Sequence, residues 1–482
     1  MRMSTMRIKS LLSFILVSLH VFAVDIDVKP GTLASLLEGK TDVTELSVTG
    51  EIDATDMQFM SHELRSLRSL DLSKARVVAY DGGERLLSGV AYSPAGELPA
   101  GIFAGATFSV FKFPSGTISV GDGAFAGSRV VSVDIPATVV SFGRHVFSGC
   151  ERLEDVTVNI DSVPDGTFKG CVSLSAVNLS AGISSIGKSA FAGCVSLESI
   201  DIPAKVKSID TEAFAMSGLG RVALDKCTAL NAIGERAFAG CVNLQEVTLP
   251  ESLSCLGVGV FFGDSRLAGV DVPEKVTVIP DYAFKGTASL VNGRLKLHDR
   301  VTEVGRFAYM GLDATTEWEV SASLEKIGEN AFEGWKALKF IDASKTLRVP
   351  VTGDNAWDGV PDPSAVTLNV SDESYEAYKA APQWREFNVV SPGHSSVKPS
   401  VADTGDSFDA WIEDGTLCLS SRHEMKNAAV YDDMGHLVTR FDINGLSGRA
   451  QARPYRTVGV MIVAVTMADG TTVVKKLMYG KK

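Results

Sequence analysis

Apolar residues in this chain follow two rhythms at once. Over three residues they alternate with polar ones, as in Ile200-Asp201-Ile202, which predicts a short strand with two side chains inward and one outward. Over longer distances a whole block recurs. An aromatic residue, usually preceded by a small or β-branched one and followed two positions on by glycine, returns at Phe103, Phe125, Phe147, Phe168, Phe191, Phe214, Phe238, Phe261, Phe284, Tyr309, Phe332 and Trp357, at intervals of 21 to 25 residues. Twelve returns at this spacing mark an internal repeat.

Each block has a division of labour. Pro203 ends the strand at Ile202 because it lacks the N–H that a ladder needs. Val206 and Ile209, three apart, share one face of a turn, and Ala213-Phe214 fills the inside of the coil. Glycines such as Gly187, Gly234 and Gly328 are expected to give the backbone freedom that closes the loop. One block cannot bury its own apolar face, so the blocks must stack. The predicted fold is a solenoid with parallel strands on one face and short turns or helical segments on the other.

The fullest copies carry a more specific signature. Leu197-x-x-Ile200-x-Ile202-Pro203 is followed by an Ile-Gly-x-x-Ala-Phe-x-Gly-Cys element, seen as Ile186 to Cys194 and Ile233 to Cys241. This resembles the BspA-like class of leucine-rich repeats, over residues 98–360. The resemblance implies a surface protein that attaches to host matrix proteins, cells or other bacteria. Phe307-Ala-Tyr309 and Asn355-Ala-Trp357 depart from the pattern.

An open solenoid end exposes a slab of core, so both ends need covers. Residues 24–97 hold looser fragments, Val43 to Val48 and Leu67 to Leu72, and read as an N-terminal cap with degenerate repeats. Residues 361–390 read as the C-terminal cap: a last strand at Val366 to Val370, then Ser371 or Asp372 capping a helix from Glu373 to Ala381. Tyr375, Tyr378 and Trp384 are suited to covering the core there.

The tail differs in kind. Residues 391–407 have linker composition, and 408–482 carry short apolar or alternating runs broken by Asp-Gly at 414–415 and 469–470, which predicts a small β-sandwich. Val430-Tyr431-Asp432-Asp433-Met434-Gly435, Gly459-Val460-Met461-Ile462-Val463 and Lys475-Lys476 resemble the C-terminal sorting domain of the type IX secretion system of Bacteroidetes. That resemblance implies passage across the outer membrane by the secretion machinery.

At the other end, Arg2, Arg7 and Lys9 precede an apolar stretch from Leu11 to Phe22 that closes on Val21-Phe22-Ala23. Residues 1–23 therefore read as a signal peptide cleaved after Ala23. The apolar stretch is short for a membrane span, and no later stretch approaches the length of one, so the mature chain is expected to be exported, either to the outer-membrane surface or as a secreted product.

Composition narrows the partners. With 46 basic and 58 acidic residues the chain carries −12, and −15 without residues 1–23. Such a charge repels nucleic acid phosphates at long range, so nucleic acid is not an expected partner. Glycine, at 45 residues, is abundant without the every-third spacing of collagen, as turns in a repeat require.

Candidate chemistry is sparse. Cys150, Cys171, Cys194 and Cys241 each fall three residues after a repeat aromatic and so form one column of buried thiols, although neighbouring turns lie close enough for a bridge. There is no Cys-x-x-Cys pair, the histidines are scattered, and no nucleophile elbow appears. No metal, cofactor or enzyme activity is expected. What remains is the surface, and the outward strand residues form a mixed, mainly acidic ladder with few aromatics. Asp134, Asp155, Asp201, Glu246, Asp271, Glu317, Glu319 and Asp342 are the candidate strip for a basic protein partner on a cell or in the matrix. A glycan-binding accessory protein, which would need exposed aromatic platforms, and a structural envelope component are the alternatives.

Overall fold

The computed structural model describes residues 22–82, 89, 91–290, 297–392, 408–413, 416–431, 437–450, 458–469 and 472–480. Apart from Phe22 and Ala23 the expected signal segment lies outside these residues, and so does the expected linker beyond Pro392. Two compact units are present, residues 1–339 with 350–362, and residues 340–349 with 363–482.

The first unit is a parallel β-solenoid. Its main row begins as a seven-stranded parallel sheet in sequence order, Ala23–Val28, Glu45–Ile52, Ser69–Val77, Val110–Lys112, Ser132–Asp134, Asp155–Val158 and Ala176–Leu179. After an interruption it resumes with Arg221–Ala223, Glu246–Thr248 and Gly269–Val270. The interruption falls at Ile200-Asp201-Ile202, where a strand is expected and no ladder forms. Pro203 alone does not cause the break, because Pro136 and Pro250 hold the same place after strands that form. The turns carry a second row of two-residue parallel strands, among them Ser185–Ile186, Ser208–Ile209, Ala232–Ile233 and Cys255–Leu256, so Ile209 is a ladder residue as well as a core one.

The repeat aromatics form one continuous stack inside this coil. Successive ring centroids from Phe103 to Trp357 lie 4.5 to 5.9 Å apart. The two departures from the motif fit: Tyr309 is 5.2 Å from Phe284 at 2°, and Trp357 is 4.5 Å from Phe332 at 12°. One strand spacing sets this distance, so a planar side chain of fixed orientation satisfies every turn in the same way.

Glycine acts differently from expectation. The left-handed positions lie on either side of the aromatic, as at Gly123 and Gly127. Gly187 and Gly234 instead permit close approach: a Cβ would stand 2.8 Å from Asp165 N in the first case, and 2.5 Å from Asp210 C in the second. The backbone of the preceding turn fills the space, so the column is set by packing rather than by dihedral freedom.

The N-terminal end is tied by Asp56. Its buried carboxylate accepts N–H bonds from Gly31 (2.8 Å), Leu33 (2.9 Å) and Asp53 (3.1 Å), while Asp53 caps the helix Ala54–His62 in a capping box.

In the second unit, Phe340–Ala343, Thr367–Val370 and Asn388–Val390 pair in parallel, with a helix at Tyr375–Ala380. That helix starts later than expected. Ser371 Oγ accepts the Ser374 N–H at 3.2 Å, and this local turn postpones helical geometry to Tyr375. Tyr378 and Trp384 are fully buried with ring centroids 5.3 Å apart, and the Tyr378 hydroxyl meets Thr346 Oγ1 at 3.0 Å. The described residues between 408 and 480 form an antiparallel β-structure. The apolar runs at 417–419 and 428–431 join in one long strand, Thr416–Tyr431, whose pairing shifts register between Ser420 and Met425. Its two halves share one core with Phe408, Ile443, Val463 and Val465.

All seven cysteines are free, and only Cys255 is exposed. In the expected column, Cys150, Cys171, Cys194 and Cys241 each donate S–H to a phenylalanine carbonyl of the preceding turn at 3.1 to 3.2 Å. Burial pushes the thiols of Cys194 and Cys241 up to about 12, which keeps them protonated and unreactive. A thiol reagent is therefore expected to label one cysteine in the native protein and seven after unfolding without reductant. Fewer than seven in the unfolded chain would reveal a bridge.

Candidate functional site

The outward residues of the main strand row alternate with buried ones. In Ser132–Asp134 only Val133 is buried, and in Glu317–Glu319 only Trp318 is. Register places Asp155 opposite Ser132 and Asp134 opposite Thr157, so these two carboxylates lie on adjacent strands of one face. Glu246 lies opposite Arg221. Asp201 and Asp271 stand outside the ladders. Asp342 belongs to the second unit, where its Oδ1 accepts from Ser344 N at 3.0 Å and Asn369 Nδ2 at 3.1 Å.

The strip is not uniformly acidic. Glu246 is bound by Arg221, whose Nε donates at 3.0 Å, and Asp201 is paired with Lys226. Towards the N-terminus Lys112 meets Asp71 at 2.8 Å. Burial raises the Asp71 pKa, but hydrogen bonds from Lys112 and Ser73 outweigh it and hold the carboxyl at about 2. Among the described residues, Asp134, Asp155, Asp271 and Glu317 have no cationic partner. These four are open to an incoming cation, whereas Asp201 and Glu246 would first have to release a partner.

A shallow groove of about 410 Å³ lies along the second row, lined by Asp281, Glu303, Arg306, Lys326 and Glu329. Its charges are largely matched internally, Arg306 with Asp281 at 2.8 Å and Lys326 with Glu303 at 2.6 Å. Among the described residues no three His, Cys, Asp or Glu side chains converge as a metal-holding group, and no helix is long and apolar enough to cross a membrane.

One surface feature escaped the reading of strand faces. Tyr282 and Phe307 stack at 5.1 Å and 11°, half-buried at the coil surface, and Lys285 sits beside both. These two residues hold the same position in their turns, two before the repeat aromatic. Aligning the copies on the aromatic, rather than on the strand, would have found it.

Comparisons with known proteins bear on the same residues. The profile of the BspA type leucine rich repeat region matches residues 96–220 and 231–360 in six copies. No curated protein matches the chain. Among crystal structures, a leucine-rich repeat protein from Bacteroides ovatus is similar at 21% identity and a TM-score of 0.53, over 72% of this chain and 87% of that one. A leucine-rich repeat protein from Eubacterium ventriosum is similar at 16% identity and a TM-score of 0.40, over 64% and 88%.

Proposed function

Since the chain belongs to the BspA-type leucine-rich repeat family, we propose that it is a non-enzymatic binding protein, exported to the cell surface or secreted, that acts as an adhesin through its solenoid. The observation that carries this reading is that Asp134, Asp155 and Glu317 on strands, and Asp271 just past one, are exposed without cationic partners among the described residues. Carboxylates carried on a stacked backbone suit a basic surface on a host matrix protein, a host cell or another bacterium, because many modest contacts add. The full chain should bind such a protein in a salt-sensitive way, and changing these four acids together to Asn or Gln should weaken binding at least tenfold. Equal binding by the parent and the fourfold variant would sink the strip.

Export rests on the basic and apolar residues 1–23, and surface delivery on residues 408–482 acting as a type IX sorting domain. Asp432, Asp433, Met434 and Gly435 of the resembling motif lie outside the described residues. Deleting residues 408–482 should trap the protein in the periplasm on cell fractionation. Normal surface delivery of the truncated chain would refute the sorting role.

A further inference from the structure

Two turns of the solenoid place aromatic residues where the backbone resists them. The residue two before the repeat aromatic is left-handed in turn after turn, with φ between 51° and 61° at His145, Ser189, Glu212, Arg236, Tyr282, Phe307, Asn330 and Asn355. Glycine or asparagine suits that conformation, and a bulky side chain is an outlier there. The later turns do use Asn330 and Asn355. Tyr282 and Phe307 gain no place in the buried core in return; their rings lie at the surface, stacked on each other. Where other turns place Ser189, Glu212 or Arg236 at this position, these two place a half-buried aromatic pair that leaves ring surface open to solvent.

Three further observations meet at the same spot. One position after the repeat aromatic, where other turns hold the buried Ala192, Ala215 and Ala239, stands Phe262, which is 39% exposed. The Lys285 ammonium lies 5.1 Å from the Phe307 ring centre, 5.5 Å from Tyr282 and 6.0 Å from Phe262. Gly259 lacks a side chain, and Arg236 lies against the vacated space, its Cγ 3.3 Å and its Nε 3.8 Å from where a Cβ would stand. Among the described residues neither Lys285 nor Arg236 pairs with a carboxylate, in a chain with 58 acidic and 46 basic residues.

We propose that Phe262, Tyr282 and Phe307, together with Lys285 and Arg236, form a binding site for an acidic glycan. The apolar C–H face of a sugar ring packs on the exposed aromatic surface, whose negative ring faces favour the partly positive hydrogens. The carboxylate or sulfate of the sugar is then held by Lys285 and Arg236, and Arg236 can offer two parallel donors. A neutral sugar would leave two cations unanswered, and a purely ionic ligand would not need the rings. The site uses residues outside the main strand row, so it can fail or stand independently of the acidic strip.

Binding of the full chain to oligogalacturonate, which carries carboxylates only, and to chondroitin sulfate should be measured by calorimetry, with carboxyl-reduced oligogalacturonate as control. We expect saturable binding of at least one acidic glycan, weakened by salt, and weak or no binding of the reduced control. Preference between the two probes identifies the anionic group. The double variant Tyr282→Asn/Phe307→Asn takes the residue that later turns use at this position, so relief of backbone strain offsets the lost ring contact and its thermal unfolding should stay close to the parent's. Its affinity should fall at least tenfold, and so should that of Lys285→Gln. No binding to either glycan, equal binding of the reduced control, or unchanged affinity in these variants would overturn the site. So would loss of glycan binding in the fourfold acid variant of the strand face.

Discussion

Replacing Phe214 by alanine is expected to destabilise the solenoid by about 3–5 kcal/mol, the usual range for deleting a fully buried phenylalanine ring. The ring is wholly buried and lies between Phe191 at 5.3 Å and Phe238 at 5.4 Å, each within 3° of parallel. Two ring contacts are lost at once, each worth about 0.5–1.5 kcal/mol beyond area burial. The neighbours cannot collapse into the space, because Ala213 N–H, Phe214 N–H and Ala215 N–H are all held in backbone hydrogen bonds, that of Phe214 reaching Ala237 O on the next turn. A solenoid has only nearest-neighbour coupling, so the damage should be local before it is global. Hydrogen exchange should show protection lost first in the turns around residues 191–238, and denaturant unfolding should broaden or split into two transitions. A single sharp transition shifted by less than about 1 kcal/mol would contradict the view that the stack couples the turns.

The second large effect concerns Asp264, which occupies the cysteine column three residues after Phe261 and is completely buried. Its Oδ1 accepts the Cys241 N–H at 2.8 Å, but Oδ2 has no partner among the described residues. Burial pushes the carboxyl pKa well above its ordinary value, and the backbone hydrogen bonds from Cys241 and Gly240 only partly counter this. Below the unfolded value the group is neutral in both states and imposes no pH dependence. As pH rises above it, the unfolded chain ionises while the folded one resists, so stability falls by up to about 1.4 kcal/mol per pH unit until the folded group titrates. Asp264→Asn keeps the shape and the acceptor for Cys241 and should remove this slope. Asp264→Cys, the residue found at Cys241, Cys194 and Cys171, should in addition remove the unpaired oxygen, a penalty of about 1–3 kcal/mol. Both variants are expected to be more stable than the parent at pH 7, with a margin that shrinks towards pH 4. Thermal unfolding across that range measures it, and a margin constant with pH would show that Asp264 does not titrate with folding.

Asp264 also shows why parts of the site and core were hidden in the sequence. A lone aspartate at a column position resembles any other exposed acid until neighbouring turns close over it. The same holds for the acidic strip, where alternation placed Glu246 and Asp201 outward, but only the register and side-chain reach bring Arg221 and Lys226 to them. Tyr282 and Phe307 are half-buried residues before a repeat aromatic, and nothing in a strand alternation marks them.

The sequence by itself determined the solenoid, its period and the stack of aromatics, because a repeat that cannot bury its own apolar face has one way to do so, against copies of itself. It put the cysteines in one column too, since equal spacing puts equal residues in one environment, but left bridge or free thiol open until the structure showed all seven free. Tertiary structure alone decided where the ladder breaks at Ile200 to Ile202, why Gly187 and Gly234 must be glycine, which carboxylates remain unpaired, and how Lys285 and Arg236 come to flank two strained aromatics. Each of these depends on what the adjacent turn presents within a few ångströms, and that is a property of stacked copies that differ from one another, which no single copy contains.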